Sequence, residues 1–508
     1  MKGLAAARAP ILLGLAIVCA ATSAPRGAAA QEHGPGRPPP AGPPPIAPGS
    51  PPELRLPEVQ SFTLSNGLAV RLVEAHALPV VQVDLALLSG AASEGPDEAG
   101  VASLTADMLD EGTGSRDALE IAEQLELLGA DLGTGAGWDA SFVSLHVAAS
   151  RLDSALTIMA DVVLHPSFPE GELARKRNER LTAFLQGRDV PAVLVSTALA
   201  AELYPERHRY HRRVGGTAAS VERITRDDLL RFYRREYSPA NAALVVAGDV
   251  TAEALRPALE AAFGGWRGPR VERPALPPAP QVERTRIVLV DRPGSEQSEI
   301  RVARVGPPRT TADYVRFEVL NTLLGGSFSS RLNANLREAH GYTYGAGSVF
   351  DWRAGPGPVL AGAAVQTAAT DSSVTEFLRE LRRIRDETPP ADEVEKAERY
   401  VALSFPGQFE TTRDLAERML ELVVYGLPPD FYDTFVRHVL EVTPAEVQAA
   451  ARAALDPDAS LIVVVGDAAR VSPGLAKLGF GPLERRSVEQ VMGPPPKVAG
   501  GESDAPGA

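Results

Sequence analysis

The chain of 508 residues contains one cysteine, Cys19. A chain cut after the first thirty residues would therefore have no disulfide, no thiol nucleophile and no cysteine metal ligand. Long apolar runs are equally scarce: Ile11 to Ala21 is too short to span a bilayer, and no later run is long and apolar enough for a membrane helix. There is no basic excess. Against 65 Asp and Glu stand 51 Lys and Arg, a formal charge of −14, and a chain starting at Gln31 would hold 48 basic residues and carry −17. That balance argues against a nucleic-acid or anionic-membrane partner, since both need a concentrated basic surface. Nor does a Ser-His-Asp arrangement or a phosphate-binding glycine loop stand out.

What is there begins with Lys2 and Arg8, the apolar run, and small residues ending at Ala28-Ala29-Ala30. This is the tripartite form of a secretory signal over residues 1–30, and it predicts export to the periplasm or the medium. A lipid anchor on Cys19 fits less well, because bulky Val18 precedes it. Residues 31–58, mostly Pro and Gly, read as a disordered tether.

From Ser61 the pattern is that of a folded protein. Phe62 and Leu64, then Asn66-Gly67, then Leu68, Val70 and Leu72 give a hairpin signal. Val81, Val83, Leu85 and Leu87 alternate as a strand. Val101, Leu104, Met108 and Leu109 recur at helical spacing. Asp117 and Glu120 form a capping box for a helix that Gly129 closes. A strand is expected at 140–148, helices at about 152–164 and 170–186, and a buried strand within 239–249. Ile224-Thr225, Pro239 and Gly248-Asp249 recur as Val442-Thr443, Pro457 and Gly466-Asp467, each 218 residues later. The chain thus reads as a tandem duplication: one copy at 59–267, a Pro-rich linker at 268–283, a second copy at 284–470, and an extension at 471–508 that becomes a disordered tail from Gly493.

The order of strand, loop with Glu94, Gly-x-x helix start, Met-Leu and Gly-rich break resembles the pitrilysin/insulinase family of zinc peptidases, over about residues 59 to 470. The resemblance implies an α+β fold of two homologous domains, each a mostly antiparallel sheet with helices packed on one face, together forming half of a clamshell. In that family the helix carries His-x-x-Glu-His, two zinc ligands and a general base. Here Ser103 and Asp107 stand at the histidine positions and Ala106 at the base. The position of the third ligand, a Glu about 75 residues on, falls on Ala183. These residues do not make a catalytic zinc site, which needs three protein ligands. Ser103 and Asp107 then read as polar residues on a solvated helix face. The resemblance narrows to a non-catalytic subunit with a degenerate metal site, similar in kind to the alpha subunit of the mitochondrial processing peptidase.

In the second copy, GGSFSSRLNANLREAHGYTY at 325–344 resembles the stretch that in this family supplies an Arg and a Tyr seven residues apart. The resemblance places substrate binding on Arg337 and Tyr344, a cationic fork and a phenol suited to peptide carbonyls. The other reading is a solvated helix-end cation near Glu338 and a half-buried strand tyrosine. Gly325 and Gly326 read as a flexible substrate loop or a helix-breaking turn, the turn being favoured. His208 and His211 are three apart, but the neighbouring arginines would repel a metal. His146 alternates with Phe142 and Ser144 and reads as structural.

The sequence therefore points to a pseudo-peptidase with no cofactor of its own. It would pair with a zinc-containing homologous peptidase subunit and help hold unfolded or short peptides, with no nucleic acid and no integral membrane segment. The alternatives are a peptide-binding or structural scaffold without a catalytic partner, and an independent enzyme using other ligands.

Overall fold

The computed structural model describes residues 56–272 and 276–498. The signal segment, nearly all of the tether and the last ten residues of the tail lie outside the described residues, so those expectations are not addressed by it. Two six-stranded sheets form the core. The first uses β1 (Val59–Thr63), β2 (Ala69–Glu74), β3 (Val80–Leu87), β4 (Asp131–Ala136), β5 (Ser141–Ala148) and β6 (Ala242–Gly248), in the order β1-β2-β6-β3-β5-β4. The second uses β7 (Arg286–Asp291), β8 (Gln297–Val305), β9 (Thr343–Phe350), β10 (Pro358–Gln366), β11 (Leu461–Gly466) and β12 (Glu484–Arg486), in the order β12-β7-β11-β8-β10-β9. All pairs are antiparallel except β2–β6, β7–β11 and β7–β12. The expected hairpin is β1–β2, with Gly67 taking the positive φ of 90° its turn needs.

The first copy's helices are α1 (Val101–Asp107), α2 (Ala118–Leu128), α3 (Leu152–Leu164), α4 (Glu170–Gly187), α5 (Pro191–Leu203), α6 (Ala218–Arg223), α7 (Arg226–Glu236) and α8 (Ala252–Phe263). The second has α9 (Tyr314–Asn321), α10 (Thr370–Asp386), α11 (Ala391–Ser404), α12 (Thr412–Tyr425), α13 (Phe435–Val439), α14 (Pro444–Ala454), α15 (Ala468–Lys477) and α16 (Val488–Met492). The repeat is explicit in three dimensions. Thr225 caps α7 and Thr443 caps α14, each in a reciprocal capping box, and each helix leads to a fully buried strand, β6 or β11, ending in Gly-Asp.

Each copy keeps most of its helices on one face of its own sheet; one helix of each crosses to the other copy's sheet, and α16 lies beside α5 on the second sheet's opposite face. α5 packs on β7, β8 and β11 of the second sheet, and α12 packs on β3 and β6 of the first. This explains why β3 is buried beyond its alternating face, with Gln82, Asp84 and Ala86 as enclosed as Val83 and Leu85. A fully buried Leu or Val contributes about 1.5–3 kcal/mol, so the exchanged helices tie the halves together through apolar clusters distinct from the first copy's own core. The linker takes part as well: Leu276, Ala279 and Val282 pack beside α5.

In the C-terminal extension, disorder is expected only from Gly493, and the described residues run past it to Val498. Order continues past residue 471 through α15, β12 and α16, and as far as Val498. β12 adds a parallel strand to β7, Arg188 Nη1 donates to Gly493 O at 2.6 Å, Pro496 is buried, and Val498 packs against the first copy's core. A Pro-rich stretch needs no partner strand to be held when its apolar rings find a wall, so composition alone misread Gly493 to Val498 as disordered.

Candidate functional site

The helix at the degenerate motif starts under tight constraint. Gly100 has φ 92°, and a Cβ there would lie 2.8 Å from Gly215 O. No side chain caps α1 from the N-cap position; instead Glu94 Oε1 accepts from Gly100 N at 3.0 Å and Ala102 N at 2.9 Å. Burial pushes the Glu94 carboxyl up to about 8, against the opposing pull of those two donors. Val101, Leu104 and Met108 fill the core, and Ala106 is fully buried with them.

Ser103 and Asp107 face α4. Arg180 Nη2 donates to Ser103 Oγ at 3.1 Å and makes an ion pair with Asp107, while Nη1 reaches Gly100 O at 3.5 Å. The guanidinium lies between the two positions where the family motif would put its histidines. These residues are thus not a solvated helix face: the Arg180 side chain is 13% exposed and that of Asp107 30%. Burial raises the Asp107 pKa, with Arg180 acting against it. Ala183 sits three residues past Arg180 and is exposed.

The ion pairing continues below. Lys176 Nζ is 2.6 Å from Glu111 Oε1, and Arg175 pairs with Glu111, with Glu172 at 2.6 Å and with Glu179 at 2.7 Å. Asp110 is pushed up to about 6 by burial, opposed by Lys176. Between α1 and α4, then, Asp107, Asp110 and Glu111 meet Arg175, Lys176 and Arg180. A serine hydroxyl, two methyl groups and one carboxylate already claimed by a guanidinium do not fit zinc. Among the described residues no cluster of three His, Cys, Asp or Glu side chains could hold a metal ion. Sequence reading missed Arg180, although its spacing from Ala183 puts it one turn away on the same helix face.

In the second copy the candidate pair is open. Thr322–Gly326 and Asn333–Ala339 are wide π-helical turns, and Gly325 and Gly326 end the first of them before extended Ser327, as a helix-breaking turn would. Gly325 is required by contact with β9: its Cβ would lie 2.2 Å from Ser348 N. Arg337 is half-buried, its guanidinium 3.9 Å over the ring of Phe328, and its Nη1 is buried without a hydrogen-bond partner. Tyr344 lies on edge strand β9 and is 85% exposed. No hydrogen bond among the described residues joins the two. Nearby, Arg331 makes a two-pronged pair with Glu393 of α11, at 2.7 and 2.6 Å.

The histidines do structural work. His208 is buried and stacks on Tyr204 at 4.9 Å, while its Nδ1 accepts from Tyr210 N at 3.1 Å. His211 Nδ1 donates to Tyr204 O at 2.8 Å. These rings belong to the junction between the copies, where the Arg353 guanidinium lies 4.5 Å over both Trp138 and Tyr210. His146 Nδ1 is 3.1 Å from Gln82 Oε1.

With this geometry in hand, comparison with known proteins is direct. The family model described as "Insulinase (Peptidase family M16)" matches residues 70–206, and "Peptidase M16 inactive domain" matches residues 223–401. An uncharacterised zinc protease of Mycobacterium tuberculosis is 28% identical over 402 residues, covering 77% of this chain and 89% of that protein. One from Streptomyces coelicolor is 26% identical over 420 residues, 80% of this chain and 89% of its own length. Among solved structures, a peptidase M16 inactive domain from Pseudomonas fluorescens superposes with a TM-score of 0.76 at 28% identity, covering 80% of this chain and 98% of that one. The periplasmic protease PqqL from Escherichia coli shares the fold, with a TM-score of 0.69 at 15% identity over 85% of this chain and 51% of its own.

Proposed function

Because this chain belongs to the M16 (insulinase) peptidase family, we propose that it is an exported, zinc-free member that works by pairing with a zinc-containing homologue. The observation that carries this reading is Arg180, whose guanidinium takes up Ser103 and Asp107 at the motif position. A site closed by an internal cation has no ligands to offer a metal, so hydrolysis would depend on the partner.

This chain's part is to hold peptide. Edge strands β4 and β9 each have one side not paired within their sheets, a template on which an extended peptide can add as a strand. Beside β9, half-buried Arg337 carries a guanidinium suited to donate to a peptide carbonyl. Tyr344, exposed on the same strand, presents a phenol that can donate to a second carbonyl or to the oxyanion formed from it.

The test is cleavage of an unstructured fluorogenic peptide by the chain alone, by a zinc-containing homologue from the same source, and by the two mixed. The expected result is activity in the mixture well above either component, lost on chelation and reduced about 100-fold by Arg337→Ala with association intact. Stable association without added activity would favour the scaffold reading. Hydrolysis by the chain alone would contradict the proposal.

A further inference from the structure

Two turns beyond Arg180 on α4, the structure has a second feature that the pairing reading does not use. A cavity of about 710 Å³ lies between the end of α4, α5, the loop leading into α6, and the C-terminal stretch Val491 to Lys497. Its volume is in the range of small-ligand sites. One wall is apolar, made by Phe184, Met492 and the rings of Pro494 to Pro496. Elsewhere four cations, Arg188, Arg212, Arg213 and Lys497, line it among small and neutral residues such as Thr197 and Thr217, and the only carboxylate among its lining residues is the exposed Glu222.

These cations are poorly compensated. Arg188 spends one nitrogen on Gly493 O. Arg212 has a carbonyl, Pro96 O, at 3.1 Å and the largely exposed Glu206 only at 4.0 Å. Half-buried Arg213 makes no side-chain hydrogen bond or ion pair among the described residues, and burial lowers its pKa with no acid to offset it. Arg213 is thus a desolvated guanidinium without a counter-charge among the described residues, which is costly in a protein of net charge −14 with acids to spare elsewhere. An incoming anion would relieve that cost.

We propose that this cavity binds the acidic end of a peptide, with carboxylates on Arg188, Arg213 and Lys497 and the intervening aliphatic atoms against the proline wall. Guanidinium groups match carboxylates through forked hydrogen bonds. The mixed lining suits a peptide, with its alternating polar and apolar groups, better than a bare inorganic anion. Arg180 and Phe184 of α4 and its C-cap Arg188 follow one another at four-residue steps, so the bound end would lie about 12 Å from the Arg180 site at 1.5 Å per residue.

Fluorescence anisotropy on the full chain alone tests this, so failure here is separable from failure of the pairing proposal. The probes are a fluorescein-labelled octapeptide ending in three glutamates with a free carboxylate, and its amidated counterpart ending in three glutamines. The acidic probe is expected to saturate in roughly 50 mM salt and to bind at least about tenfold tighter than the neutral one. Arg213→Gln combined with Lys497→Gln should weaken it by about tenfold or more, while Arg437→Gln, at an exposed cation elsewhere, should not. Equal binding of the two probes would overturn the proposal, as would indifference to the double substitution. So would saturation by inorganic pyrophosphate but not by the acidic peptide.

Discussion

The two copies of the repeat bridge their helices at different places and with opposite polarity. In the first, the anion Asp107 is on the helix between β3 and β4, and the cation Arg180 is on α4. In the second, the cation Arg331 is on the helical stretch between β8 and β9, and the anion Glu393 is on α11. α4 and α11 hold the same place in the order of elements, each following the long helix after the sheet's edge hairpin. Asp107 is on α1, which packs on α7 as α9 packs on α14, whereas Arg331 opens the next helical stretch, so the second copy's bridge lies one element further along the chain. What stands beside each bridge differs as well. The first copy's gap extends into the network of Glu111, Arg175 and Lys176, whereas the second copy leaves Arg337 with an unsatisfied donor and Tyr344 in the open.

The sharpest way to break this comparison is to rebuild the missing motif. Ser103→His, Ala106→Glu, Asp107→His and Ala183→Glu together should bind zinc poorly while Arg180 remains, and should take up about one equivalent when Arg180→Ala is added, read by metal analysis after dialysis. Uptake with Arg180 in place would show that its cation is not what closes the site.

Next in size is the stability of the two bridges. Arg331 is 7% exposed and held by two hydrogen bonds, so Arg331→Ala should cost about 3 kcal/mol by leaving Glu393 without its partner. Arg180→Ala should cost less, about 2 kcal/mol, and Asp107→Asn added to it should recover part of the loss. Denaturant titration gives both values.

A smaller effect separates the helix starts. Glu94 titrates near 8 when folded against an ordinary 4.5, so the folded chain holds an extra proton between those values. Its contribution is complete below 4.5 and is lost as the pH rises through 8. Glu94→Gln keeps an acceptor for Gly100 and Ala102 but cannot ionise. Its stability relative to the parent chain should therefore improve steadily from about pH 5 to about pH 8.5. A flat difference would mean that Glu94 ionises freely in the fold.

The smallest effect should be equal in both copies. Thr225→Ala and Thr443→Ala each remove an N-cap in the same capping box and should each cost about 1 kcal/mol. A large inequality between them would weaken the idea that the repeated unit is energetically as well as geometrically the same.

Much of this was legible in the sequence, for local reasons. Asn66-Gly67, the Asp117–Glu120 box and the alternation of β3 each encode an element without help from distant residues. The offset of 218 worked because capped helices and strand-ending Gly-Asp pairs are fixed by local backbone requirements. What was illegible depends on distance. Nothing in α5 or α12 says that each packs on the other copy's sheet, since an apolar helix face does not name its partner. Arg180 was passed over because the family's ligand position falls on Ala183, and a long side chain acts a turn away from its own backbone. The wide turn at Thr322–Gly326 brings Gly325 against Ser348 of β9, a tertiary contact that no local pattern announces. The prolines after Gly493 looked unstructured because their wall belongs to residues three hundred positions earlier.

The central claim is that an arginine occupies the place of the metal, and zinc titration of the purified chain tests it most directly. After dialysis against a chelator, followed by titration with zinc in chelator-free buffer, the account predicts no stoichiometric uptake, and no change when Asp107→Ala is introduced. One tightly held equivalent, lost in Asp107→Ala, would contradict it.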